Sequence, residues 1–208
     1  MTIKEIYVLN RALDGKDIFS LPKLSQMKIS NLLVSAVKKN LIKKGYLQAN
    51  GFFTDIGLST VNRLKKYKEA KKYIIINNVS IGVINSTDGV VVIFNKLNND
   101  YKIIFCKIAN LIDQIIETFE FLSFSEKNDK YSMGEGLNSE ELELSIDNYE
   151  QSEDSFKLII DDNGSFSEEL YFYESNNLFV YDYLKRELFP KTKSNMIQQL
   201  SERVRFYE

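Results

Sequence analysis

The chain has 208 residues, 44% of them hydrophobic, and carries a net charge of −2 at neutral pH. This length and apolar content allow one large domain or two small ones with a proper core. The sequence contains no histidine and a single cysteine, Cys106, which excludes Ser-His-Asp and Cys-His catalysis, imidazole zinc sites and four-thiolate metal sites.

The charged residues are unevenly distributed. Residues 1–72 contain 15 Lys/Arg and 5 Asp/Glu, residues 73–125 contain 3 and 5, and residues 126–208 contain 9 and 19. Such a split indicates a partner for one half, contact between the halves, or two solvated faces of opposite sign. The N-terminus has no signal-peptide pattern and no run of about 18 apolar residues exists, so we expect a cytosolic protein without a membrane span.

Residues 1–78 are predicted to form a basic helical part. Thr2 and Glu5 make a capping-box pattern at the start of a helix that runs to about Leu13. A second helix is expected over 24–44, a short hairpin over 46–53, and a third helix after Thr54. The pattern leaves open whether residues 73–78 continue that helix or begin a strand. The second helix is expected to bury one apolar face, made of Ile29, Leu32, Leu33, Ala36, Val37 and Leu41.

Residues 79–124 are predicted to form a three-stranded antiparallel meander followed by a helix. The strands are Ile81–Asn85, Val90–Asn95 and Tyr101–Cys106, separated by turn-forming residues. Apolar residues then recur at helical spacing: Ile108, Leu111, Ile112, Ile115, Phe119 and Leu122.

Residues 125–154 form an acidic linker or insertion, with a short helix near Ser139–Ile146. Residues 155–208 repeat the meander and helix, with strands at Phe156–Ile160, Leu170–Tyr173 and Leu178–Tyr183 and a helix after Pro190. Its apolar face is Met196, Ile197, Leu200 and Val204. The prediction is therefore a single α+β domain over 1–208, in which two meander–helix units are related by a quasi-two-fold repeat. Joined edge to edge, the two meanders would cover each other's exposed edges.

The sequence offers little for catalysis. Cys106 lies in an alternating strand with no histidine to activate it, which favours a buried small side chain. The acid pairs Asp161-Asp162 and Glu140-Glu141 fit solvated turns better than paired catalytic acids. No glycine-rich phosphate loop is present. We therefore expect no enzyme activity, no cofactor and no metal.

The alternative to protein binding is DNA binding. Helix, Gly45 turn, hairpin and helix across 24–72 make a winged-helix-like pattern, and residues 63–72 are strongly basic. However, a reading helix usually offers Arg, Asn or Gln to bases, whereas this one offers mostly Lys. We favour a solvated basic face or docking on an acidic protein, and keep a winged-helix regulator with a C-terminal sensing or dimerisation module as the alternative.

The opening Thr2–Gly15 resembles the N-terminus of EspG-like chaperones of type VII (ESX) secretion, including the shorter EsaE-type proteins of Firmicutes. Those proteins also start with a helix of the form Thr-x-x-Glu-Leu-x-x-Leu-x-x-x-Leu-x-Gly. The order of elements fits their quasi-two-fold architecture over nearly the whole chain, although this chain is shorter than the mycobacterial members.

The resemblance implies a cytosolic chaperone that binds the helical tip of a WXG, LXG or PE/PPE-type substrate. In that family the central sheet, the loop between its second and third strands and the C-terminal helices contact the substrate. The loop here is Lys96, Leu97, Asn98, Asn99 and Asp100, and Leu97 is either a partner anchor or an ordinary exposed leucine. Four aromatic residues, Tyr171, Tyr173, Phe179 and Tyr181, are expected on half-wet sheet faces, where they suit a polar-rimmed interface. Neither a nucleic acid nor a small-molecule ligand is expected.

Overall fold

The computed structural model describes residues 1–27, 30–123, 146–174 and 177–204. The helices are α1 (Ile3–Asn10), α2 (Asn31–Lys43), α3 (Asp55–Lys68), α4 (Ala109–Thr118), α5 (residues 146–150) and α6 (Lys193–Val204). The strands are β1 (Lys72–Ile76), β2 (Val79–Val83), β3 (Asp88–Asn95), β4 (Asp100–Lys107), β5 (Ser155–Asp162), β6 (Ser165–Glu174), β7 (Asn177–Asp182) and β8 (Glu187–Lys191). Short 3₁₀ turns cover Leu24–Gln26 and Glu120–Ser123.

The eight strands form one antiparallel sheet in the order β4-β3-β2-β1-β5-β6-β7-β8. Two meanders meet edge to edge where β1 pairs with β5, with Ile74 opposite Ile160, as the sequence predicts. Each meander has four strands rather than the expected three, because β1 and β8 are additional. The sequence pattern did not decide between helix and strand for residues 73–78, and it did not predict β8. Strand β8 contains Pro190, which is tolerated there because β8 is an edge strand.

The two meanders have equivalent turns between equivalent strands. Asn77 after β1 and Asn163 after β5 both have positive φ, at 50° and 52°, a conformation that asparagine tolerates better than most residues. The β3–β4 turn carries Leu97 and the β7–β8 turn carries Leu184, each two residues past the end of its strand. A hydrogen-bond acceptor precedes each turn at the equivalent position. Asn95 Oδ1 accepts the Leu97 N–H at 3.0 Å, and Asp182 Oδ1 accepts the Leu184 N–H at 3.0 Å.

The N-terminal helices follow the predicted caps but not every predicted boundary. Thr2 and Glu5 form the capping box, with the Thr2 N–H donating to Glu5 Oε2 at 2.8 Å. The second helix begins at Asn31, not near residue 24, because Ser30 caps it by accepting the Leu33 N–H at 3.3 Å. Leu32 and Ala36, both predicted to be buried, are exposed, Leu33 is half-buried, and Ile29 lies outside the described residues. The buried face of α2 is Val34, Val37 and Leu41.

Helix α3 ends at Lys68, and residues 72–76 form strand β1. The sequence pattern had not decided between helix and strand for this segment. Val61, Leu64 and Tyr67 form part of the buried face of α3. A glycine lies inside this helix because a Cβ on Gly57 would overlap the Tyr46 carbonyl oxygen.

The sheet is covered on both faces. On the first face, α1–α3 bury the side chains of β1, β3 and β4, among them Tyr73, Val90 and Ile103. Further along the same face, Ile146 of α5 covers Leu170, Phe172, Phe179 and Tyr181. On the opposite face, α4 and α6 share one core with both meanders, in which Ile115 and Leu200 are buried.

The C-terminal helix and the helix after the first meander are confirmed. Ile108, Ile115 and Leu122 are buried as predicted, although the regular helix ends at Thr118. Met196 and Leu200 of α6 are fully buried. Most of the predicted acidic insertion and of its short helix falls on residues 124–145, which lie outside the described residues. No helix in the described ranges has the length and apolar character needed to cross a bilayer.

Candidate protein-binding surface

The turn predicted to contact a partner projects from the sheet. Lys96, Leu97, Asn98 and Asn99 are all exposed, and the Leu97 side chain is 96% exposed. Asn95 Oδ1 accepts backbone N–H groups from Leu97 at 3.0 Å and Asn98 at 3.4 Å. The turn is therefore held in one conformation by its own hydrogen bonds and presents an apolar tip to solvent.

The four aromatic residues predicted to line a partner surface do not form one. Tyr171 is 0%, Phe179 1% and Tyr181 3% exposed. Tyr171 and half-buried Tyr173 pack into the core beneath α4 and α6, whereas Phe179 and Tyr181 lie on the opposite face. In this structure three of the four rings are core residues. The uninterrupted apolar runs of β6 and β7 are the signal that both faces are covered, because a half-wet strand alternates apolar with polar residues.

Glu169, which lies beside Tyr171, is a buried carboxylate with two polar partners. Glu169 Oε2 accepts the Tyr171 hydroxyl at 2.7 Å and pairs with the Arg203 guanidinium at 2.6 Å. Burial, together with the neighbouring carboxylate of Glu169, raises the pKa of Tyr171. The arrangement ties α6 to β6 by charge-assisted hydrogen bonds.

An apolar groove of about 570 Å³ lies between α4 and strands β1–β4. Its floor includes half-buried Val79, Ile93, Ile104 and Cys106, which continue the core toward solvent. Its rim on α4 is polar: Asn110, Gln114 and Thr118. Sequence reasoning missed this groove, because the strand pattern marks these residues as inward-facing without showing that α4 leaves them partly uncovered.

Cys106 lies on the floor of this groove. Burial raises the pKa of its thiol, and the nearby carboxylate of Asp88 raises it further. A raised pKa lowers the thiolate fraction at neutral pH. The residue therefore contributes apolar surface.

The exposed turn continues one end of the groove. Ile93 lines the groove two residues before β3 ends at Asn95, and Leu97 follows after two more. Asn78 is hydrogen-bonded to β3 at this end of the groove. Its side-chain amide donates to the Phe94 carbonyl at 2.6 Å, and its backbone carbonyl accepts the Phe94 N–H at 2.9 Å. The groove floor and the Leu97 tip thus belong to adjacent surfaces.

Several side chains of the basic stretch 63–72 contact backbone, carboxylates or a ring. Arg63 Nη1 donates to the Ile103 carbonyl at 3.1 Å, Lys65 pairs with Glu69 at 3.9 Å, Lys66 lies 5.5 Å from the Phe105 ring centre, Lys68 pairs with Asp14, and Lys72 pairs with Asp162 at 3.6 Å. Lys72 is buried, whereas Lys65, Lys66 and Lys71 remain exposed and accessible to an anionic partner.

A polar cleft lies on the other face of the sheet, over β1 and β5. Lys157 pairs there with Glu150 at 2.9 Å and with Glu168 at 2.6 Å, and its ammonium lies 4.4 Å from the Tyr183 ring centre. Desolvation opposes the charge, but the two carboxylates raise the pKa of Lys157 overall. The cluster anchors α5 to the sheet. In the described part of the chain, no group of three or more Cys, Asp or Glu side chains is placed to hold a metal ion.

A comparison with curated proteins finds no match. A family model described as a domain of unknown function, DUF5081, matches residues 1–206. The match covers both meanders and all the helices, and the chain belongs to that family.

Proposed function

We propose that the protein is a cytosolic chaperone or adaptor that binds a helical segment of a type VII secretion substrate, of the WXG, LXG or PE/PPE type, and keeps it soluble for export. The observation that carries this proposal is the half-open apolar groove beneath α4, with a polar rim and an exposed leucine beyond one end. The resemblance of Thr2–Gly15 and of the element order to EspG-like chaperones supports the choice of substrate.

The groove is suited to an amphipathic helix. Covering apolar surface contributes about 25 cal/mol per Å², so the half-exposed floor residues favour a partner that removes them from water. A helix presents such a surface as one stripe, with residues three and four apart on the same face. Asn110, Gln114 and Thr118 then supply hydrogen bonds at the rim, as is usual where an apolar interface meets solvent. Binding is stoichiometric and needs no bond making.

Co-expression with small helical secreted proteins encoded nearby tests the proposal. We expect a co-purifying complex with the native chain and its loss with Gln114→Arg, which places a long charged side chain on the groove rim. Gln198→Arg makes the same change on the exposed face of α6, away from the groove, and should leave the complex intact.

Two results would count against the proposal: no complex with any such neighbour, or equal loss of binding by both arginine variants. Thermal unfolding of both variants shows whether either change disturbs the fold. A gel shift with a salt series addresses the regulator alternative, since a steep fall in DNA affinity with salt would favour it.

A further inference from the structure

We infer that the outer edge of β4 binds an extended segment of another protein, added as a ninth strand, whose acidic side chains face α3. The inference concerns the backbone edge of β4 and the outer surface of α3. Phe105 and Lys107 also line the groove beneath α4, so the two proposals are tested with variants on different helices, α3 for the edge and α4 for the groove.

Strand β4 is one edge of the sheet, and its outward backbone groups can be identified. The Tyr101 N–H donates to the Met1 carbonyl at 2.6 Å, and the Met1 amino group donates to the Tyr101 carbonyl at 2.7 Å. Backbone groups alternate between the two sides of an antiparallel strand, so Ile103, Phe105 and Lys107 also face outward. The edge therefore already pairs with extended chain at Tyr101.

Beyond Ile103 this edge is open. The Ile103 carbonyl accepts a bond from Arg63, whereas the outward N–H and C=O of Phe105 have no hydrogen-bond partner among the residues that the structure describes. The Phe105 ring is 45% exposed. Unpaired groups on an edge strand are a template for another strand. By contrast, the opposite edge, β8, contains Pro190, which has no N–H to offer.

The charged residues around this edge favour an acidic added strand. A shallow depression of about 450 Å³ joins the edge to the outer face of α3, and it is lined by Leu58, Asn62, Arg63, Lys66 and Phe105, with Asp55 at one end. Lys107 is exposed at the end of β4. The cations outnumber the single carboxylate, so acidic side chains directed toward α3 gain Coulomb energy.

The same charges disfavour a second copy of this chain. Antiparallel pairing of two β4 edges about Phe105 would bring Arg63, Lys66 and Lys107 of both copies to one seam, where like charges repel. A helical partner is also disfavoured, because its backbone groups are already bonded internally and cannot pair with Phe105. Alternate side chains of an added strand point to opposite faces, so the matching sequence has acidic residues at every second position and apolar residues between them, beside Ile104 and Cys106.

A fluorescein-labelled peptide of about ten residues, alternating Asp and Val, tests the inference on the full chain. We expect its anisotropy to report binding that weakens as salt is added, and a Lys/Val peptide to bind about tenfold more weakly or not at all. Methylating alternate peptide nitrogens should abolish binding, since strand addition depends on backbone hydrogen bonds. Hydrogen exchange should slow at the Phe105 amide in the complex.

Matched variants localise the effect. Lys66→Glu should weaken binding of the Asp/Val peptide by about fivefold or more, whereas Lys39→Glu, the same change at an exposed site on α2, should not. Absence of Asp/Val binding at millimolar peptide, equal binding of the Lys/Val peptide, or protection confined to amides outside β4 would each overturn the inference. Binding in the groove is tested separately by Gln114→Arg, on the α4 rim.

Discussion

The two meanders have the same strand order and equivalent turns, but their surfaces differ. Among the residues that the structure describes, large apolar side chains are exposed mainly in the first half: Leu32, Phe52, Ile56, Leu58, Leu97 and Phe105, against Phe166 and Leu184 in the second. Ion pairs occur within both halves, as Lys44 with Glu5 in the first and Lys157 with Glu150 and Glu168 in the second. The two halves thus differ in exposed apolar surface, and the candidate binding surfaces belong to residues 1–123.

The comparison also bears on the uneven charge of the sequence. Contact between a basic and an acidic half is one explanation of that split, and Lys72 and Asp162 do pair across the β1–β5 joint. The other ion pairs described lie within one half, such as Lys44 with Glu5 and Arg203 with Glu169. The shared core and the β1–β5 ladder therefore hold the halves together, with Lys72 and Asp162 as an ion pair across the joint.

The largest expected effect tests whether the halves unfold together. Phe172→Ala in the second half should lower the free energy of unfolding by about 3–5 kcal/mol, and Leu64→Ala in the first by about 2–5, because both remove fully buried side chains. Since β1 and β5 make one continuous sheet, we expect each change to shift a single urea transition, followed by circular dichroism and tyrosine fluorescence. Two separated transitions would show that the halves are independent.

A smaller effect concerns the buried acid of the second half. Glu169→Gln should lower the free energy of unfolding by about 1–3 kcal/mol, because it removes the charge that pairs with Arg203 and buries an amide with fewer partners. Glu202→Gln, on the same helix as Arg203 but exposed, should change it by less than about 0.5 kcal/mol. Urea unfolding measures both. Similar values for the two variants would contradict the structural role assigned to Glu169.

Alkaline pH should destabilise both halves. Burial raises the pKa of Tyr73 in the first half to about 12 and raises that of Tyr171 in the second. A folded-state pKa above the unfolded value near 10 means that stability is complete below about pH 10 and falls as pH rises toward the folded pKa. Tyrosinate absorbance should therefore rise in step with loss of circular dichroism. Ionisation of every tyrosine near pH 10 with the fold intact would contradict these pKa directions.

The smallest effect on stability separates the two equivalent turns. Leu97→Ser and Leu184→Ser should each change the free energy of unfolding by less than about 0.5 kcal/mol, because both leucines are exposed. If the β3–β4 turn contacts the client, Leu97→Ser should weaken the co-purified complex and Leu184→Ser should not. Pull-down at matched protein concentration distinguishes them, and equal binding by both variants would remove Leu97 from the proposed interface.

Local signals predict much of this fold. The Thr2–Glu5 cap, the strands at 90–95 and 156–160, and the edge-to-edge joining of the meanders follow from helical or strand period and turn residues. The strand predicted at 81–85 lies two residues earlier, at Val79–Val83. The late start of α2 was missed because Ser30 competes as a cap with signals further upstream. Strand β8 was not predicted because a proline such as Pro190 argues against a strand, except at the edge of a sheet. The sequence does not show that β8 is an edge strand.

The candidate site was less predictable than the fold. Leu97 projects from a turn, as its neighbours indicate, but Tyr171, Phe179 and Tyr181 are buried because both faces of β6 and β7 are covered. The uninterrupted apolar runs of β6 and β7 signal that both faces are covered, whereas the identity of the covering helices depends on contacts between residues distant in the chain.

By itself, the sequence determined the chemical repertoire and the local elements: it contains no imidazole and one thiol, and its periodicities specify helices, strands and turns. Only the tertiary structure decided which apolar residues stay accessible. The gap between α4 and the sheet and the unpaired part of the β4 edge depend on how far each helix extends across its face, which is set by packing between residues distant in the chain.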